Sequence, residues 1–148
     1  MTRISLGLGL GLGLGLGLGL WASHAGAHAV DGAWVNEGGS VMMVTAEEGG
    51  RLSGRYCSEL GRVEPESCHP LTGWVAGDVV GFSVRFDPPG SVTSWSGQIG
   101  QDADGAFLRT LWHLSRDVPD DAEAERLWES VISGYAVFRP RPETASTR

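Results

Sequence analysis

The chain has no lysine and a single asparagine, Asn36, among its 148 residues. The missing lysines exclude a lysine Schiff base and the lysine-dependent phosphate loop. All 11 basic residues are arginines, set against 18 acids for a net charge of −7, so the basic footprint of a nucleic-acid binder is absent. Histidine is scarce as well: beyond residue 29 only His69 and His113 remain. With no G-x-S-x-G motif beside them, no nucleophilic triad can be read and an enzyme is not expected. The paired acids Asp120-Asp121 and Glu123, Glu125 read more simply as the acidic start of a short helix than as catalytic carboxylates.

Long hydrophobic runs are confined to one place, a Leu-Gly repeat from Leu6 to Leu20 that follows Arg3 and precedes Ala25, Ala27 and Ala29. Glycine dilutes the repeat, and it is too short for an ordinary membrane span. Residues 1–29 therefore read as a secretory signal peptide, cleaved after Ala29 or alternatively after Ala25 or Ala27. An uncleaved, strand-like repeat is the rival reading. The expected location is extracellular, with a periplasm as the other oxidising possibility. Removing Arg3 and no acid takes the formal charge from −7 to −8. Residues 30–139 suffice for one domain with its own core, and the tail 140–148, rich in Pro, Thr, Ser and charge, reads as disordered.

Cysteine occurs twice, at Cys57 and Cys68. In an exported chain a disulfide is favoured over free thiols, although sequence does not prove the pairing. A metal site built on Cys57, Cys68 and His69 matches no standard zinc spacing, and no metal is expected.

From Trp34 onward the chain runs in short alternating segments divided by turn residues, which predicts an antiparallel meander. Eight strands are expected, over 32–36, 40–46, 51–58, 71–77, 79–86, 92–100, 106–114 and 131–138. Eight hairpin-linked strands escape the edge problem by closing into an up-and-down β-barrel wide enough for one small ligand. Two connections exceed hairpin length, 59–70 and 115–127, the second with a helix start after Pro119.

Residues two apart on a strand share a face. That rule turns Trp34 with Asn36, Tyr56 with Ser58, Phe82 with Phe86, Thr93 with Trp95, and Thr110 with Trp112 and Leu114 toward one interior. An amide, a phenol and hydroxyls are unusual in a filled core, because each needs a partner when buried. Five stretches carry this mixture: Trp34 to Ser40, Leu52 to Ser58, Ser91 to Gly97, Leu108 to Leu114 and Trp128 to Gly134.

In type and order these stretches resemble the avidin and streptavidin family of biotin-binding proteins, over nearly the whole chain after the leader. The resemblance implies an all-β, eight-stranded antiparallel up-and-down barrel that binds biotin without a cofactor. By the same resemblance, Asn36, Ser40 and Tyr56 look like the three donors to the ureido oxygen. Ser58 corresponds to the acceptor of one ureido N–H, and Thr93 lies near the ring sulfur. Ser91 and the loop at Leu60 and Arg62 meet the valerate carboxylate, with Arg62 either paired to it or solvated. Phe86, Trp95, Trp112 and Leu114 form the walls, Phe86 replacing a usual Trp.

Trp128 corresponds to the family tryptophan that caps a neighbouring subunit, or else packs on its own barrel end. A homo-oligomer is implied, tetramer before dimer, with Leu111, Ser133 and Tyr135 facing outward. One departure stands out: Ala136 occupies a position where the family carries an acid or amide. An unpaired ureido N–H there costs about 1 to 3 kcal/mol, so weaker biotin binding is expected, or a different small ligand.

Overall fold

The computed structural model describes residues 29–58, 68–87 and 90–141. Eight strands run in sequence order around a closed barrel, β1 (Gly32–Asn36), β2 (Val41–Ala46), β3 (Arg51–Cys57), β4 (Cys68–Ala76), β5 (Val79–Phe86), β6 (Ser91–Asp102), β7 (Gly105–Arg116) and β8 (Val131–Pro140). Each neighbour pair is antiparallel, and β1 pairs with β8, with Asn36 opposite Phe138, so the sheet has no free edge. Glycine makes the tight turns possible. Gly77 and Gly105, both at positive φ, turn β4 into β5 and β6 into β7.

The core follows strand alternation. Trp34, Met42, Leu52, Leu71, Leu108 and Phe138 are all buried, and each contributes roughly 1.5 to 3 kcal/mol of transfer free energy. Val30 is also buried, and its carbonyl accepts a 2.8 Å bond from the Trp34 indole, which satisfies the one polar atom of that ring. These residues belong to one hydrophobic cluster inside the barrel.

Several expected boundaries shift. β4 begins at Cys68 rather than 71, because Pro70, exposed and opposite Arg55, sits in the strand without needing to donate to the ladder. β6 and β7 are longer at both ends, since the two-residue turn at Ala103 and Asp104 lets pairing run to Asp102 and Gly105. β8 continues through Pro140, and the Arg141 N–H still donates to the Ala33 carbonyl at 2.8 Å, so the ordered wall outlasts the boundary expected at 139.

The second long connection contains a turn closed by Ala122 N–H on the Pro119 carbonyl, then α1 (Glu123–Arg126), later than the start expected after Pro119. A 3-10 turn over Leu127–Glu129 follows it. Residues 1–28, where a signal peptide is expected, the loop residues Leu60 and Arg62, and residues 142–148 lie outside the described residues. No described helix is long and apolar enough to cross a membrane.

Candidate ligand-binding site

The end of the barrel opposite Val30 is bordered by the β1–β2 turn, the ends of β3 and β4, the β5–β6 turn and the connection after β7. Asn36 is the last residue of β1, and its Oδ1 accepts the backbone N–H groups of Gly38 at 3.0 Å and Ser40 at 2.9 Å. With the amide oxygen committed to the turn, the amide nitrogen is left as the donor end and reaches the Tyr56 phenol. Ser40 is completely buried, and its Oγ has no well-formed hydrogen bond. Tyr56 is buried too. Desolvation raises the pKa of its phenol, while the nearby Ser40 and Asn36 side chains pull it partly back. Three donors thus cluster, Ser40 and Asn36 close enough to the Tyr56 phenol to lower its pKa, while the buried serine hydroxyl makes no hydrogen bond of good geometry. Such a group is costly unless something else completes it.

The walls are aromatic. Tyr56 lies 4.9 Å from Trp95 and 6.0 Å, edge-on, from Phe86, and Phe82 stacks on Trp95 at 4.9 Å with planes 12° apart. Phe86, Ser91, Thr93 and Ser58 are buried, whereas Trp112 and Leu114 are half-buried nearer the rim. Trp112 faces Gly134 across β7 and β8; a Cβ at that glycine would strike the indole, so the glycine makes room for the ring. Ala136 is buried beside Thr110, whose hydroxyl donates to the Ala136 carbonyl at 3.1 Å. The alanine side chain offers no acceptor of its own.

Two residues escape sequence reasoning. His69, taken for part of a loop, pairs with Tyr56 across β3 and β4, packs edge-on against Phe86 at 4.8 Å, and has a buried, unpaired Nε2. Its inward position follows from the alternation of 69, 71, 73 and 75 once the strand is allowed to run through Pro70. Glu37 is exposed, yet its carboxylate accepts the Val137 backbone N–H at 3.1 Å from the opposite end of the chain. No local pattern signals that contact.

Cys57 and Cys68 form the disulfide, directly opposite each other in the β3–β4 register. Among the described residues no group of His, Cys, Asp or Glu could hold a metal ion. Trp128 is 78% exposed. It is held on a segment tied to the barrel by Glu129, which receives bonds from both Arg116 and Arg126.

A closed eight-stranded barrel with a donor cluster under an aromatic wall is the architecture against which known proteins can be compared. The avidin family model matches residues 24–141. The chain belongs to the avidin family. Within this family, Afifavidin from Afifella pfennigii is 29% identical over 106 residues, covering 68% of this chain and 67% of that protein. The structure of apo shwanavidin matches with a TM-score of 0.59 at 28% identity, over 72% of this chain and 93% of the other. The structure of a rhizavidin–biotin complex matches with a TM-score of 0.64 at 24% identity, over 79% and 97%, and at that identity supports the fold.

Proposed function

We propose that this avidin-family protein is a secreted, non-catalytic binder of biotin that holds the ureido ring in the open end of the barrel. The observation that carries the reading is the cluster of Asn36, Ser40 and Tyr56. The turn orients the Asn36 amide as a donor, and Ser40 Oγ is buried without a bond of its own. Three donors converging on one carbonyl oxygen suit a urea, whose oxygen is a strong acceptor because both nitrogens donate electron density to it, and they stabilise charge there as an oxyanion hole does. Membership of a family that includes a protein crystallised with biotin supports the same ligand.

Ser58 then accepts one ring N–H, Thr93 lies against the sulfur, and Ser91 with Leu60 and Arg62 meets the carboxylate. Phe86, Trp95, Trp112 and Leu114 enclose the bicycle in apolar surface. Ala136 cannot accept the second ring N–H, so affinity falls below that of a barrel with an acid or amide there. In a homo-oligomer, tetramer before dimer, Trp128 covers the mouth of a neighbouring barrel. The exposed Leu111 and Tyr135, adjacent across β7 and β8, supply part of the contact. The same alanine supports a second reading, an avidin-like cup for another small polar ring.

Calorimetric titration of biotin into the purified protein tests the proposal. One-per-chain binding is expected, and the absence of heat at micromolar protein, confirmed by competition with a fluorescent biotin, would transfer the site to the second reading.

A further inference from the structure

A cyclic urea carries two N–H donors on opposite sides of its carbonyl, and a ring seated on Asn36, Ser40 and Tyr56 points one of them toward Ser58. The other is directed at the β8 wall. There Ala136 is buried and has no side-chain acceptor, while the adjacent Thr110 hydroxyl donates to the Ala136 carbonyl and offers only the lone pairs of a neutral oxygen, a weaker acceptor than a carboxylate. β1 leaves β8 just at this level: the last β1–β8 pair is Asn36 with Phe138. Where the next pair would form, the Glu37 side chain replaces the missing strand. Both of its oxygens lie within reach of the Val137 N–H, at 3.1 and 3.4 Å.

We propose that Glu37 is a specificity-determining residue of this site, supplying from the β1–β2 turn the carboxylate acceptor that Ala136 lacks. The inference rests on the urea reading above. A carboxylate has about four lone-pair positions, so it can keep Val137 and still accept a ligand N–H. Its charge is felt inside the cup: after desolvation, which dominates, the negative charge of Glu37 adds to the upward push on the Tyr56 phenol. Being exposed and shared with the backbone, Glu37 offsets the loss at Ala136 only in part.

Biotin affinity of the full protein, measured by competition with a fluorescent biotin, tests this with Glu37→Ala, Ala136→Asp and the double variant. Glu37→Ala is expected to weaken biotin about tenfold or more, and to weaken biotin methyl ester by the same factor. The ester lacks the ligand's own negative charge, so an effect restricted to the acid would overturn the proposal. Ala136→Asp beside Glu37 crowds two carboxylates, and is expected to gain under about threefold. In the Glu37→Ala background the same change is expected to gain about tenfold. Equal gains in both backgrounds, or wild-type affinity in Glu37→Ala, would also overturn it. If Glu37→Ala melts too low to measure, Glu37→Gln keeps the Val137 bond, and its expected loss is about threefold, because a neutral amide oxygen accepts less strongly than a carboxylate; an unchanged affinity refutes the role. Wild-type protein that ignores biotin altogether removes the urea reading and this one together. Wild-type binding with an indifferent Glu37→Ala removes only the latter.

Discussion

Cys57 and Cys68 face each other as the last pair of the β3–β4 ladder, their Cα atoms 4.1 Å apart, next to Tyr56 and His69 on the inner wall. The bridge closes a loop with a sequence separation of 11, for which chain entropy gives about 2.5 to 3 kcal/mol. The Cys57→Ser, Cys68→Ser double variant should lose about that much stability in urea unfolding. It should also bind biotin more slowly, because the Tyr56–His69 pair beside the bridge is then held less firmly before the ligand arrives. Binding at the wild-type rate would restrict the bridge to stability.

Tyr56 is expected to set the alkaline limit of both folding and binding. Its folded pKa lies above the ordinary 10.0, chiefly through burial, so the folded state holds the proton more tightly than the unfolded chain. Stability from this group is complete below pH 10 and declines as pH rises through the folded value. Unfolding followed from pH 8 to 12 should show that decline in the wild type and a flatter profile in Tyr56→Phe. At pH 7 the same variant should lose about tenfold in biotin affinity through the missing donor.

Gly134 should tolerate no side chain. The Trp112 indole occupies the space where its Cβ would be. Gly134→Ala is therefore expected to displace the ring, costing about 1 to 3 kcal/mol of stability. Biotin affinity should fall with it, and the Trp112 contribution to the fluorescence should shift to the red. A Trp112→Phe, Gly134→Ala double variant, with a smaller ring, should recover part of the stability.

Leu111 and Tyr135 are 65% and 71% exposed and adjacent on the outer wall. If the proposed homo-oligomer forms through this face, placing arginine at both positions should reduce it to monomers in sedimentation experiments while leaving the barrel folded. If Trp128 covers a neighbouring mouth, the dissociated protein should release biotin as fast as Trp128→Ala does. Slow release from the dissociated form would mean that Trp128 acts on its own barrel.

The alternation of Trp34 with Asn36, Tyr56 with Ser58 and Thr93 with Trp95 is a local property, written in the period of a strand, and with the turn residues between the runs it indicates the inner wall and the eight strands. The turns were equally legible, because Gly77 and Gly105 are where the backbone demands positive φ. His69 was not, because Pro70 masked the start of β4. Glu37 was invisible for a deeper reason: its partner Val137 lies 100 residues away, and only closure of β1 onto β8 brings them together. The direction of the Asn36 amide likewise depended on the turn that captures its oxygen. Periodicity tells which face a side chain takes. Which groups meet across that face is decided by barrel closure, since hydrogen bonds and charge act over a few ångströms of space whatever the separation along the chain.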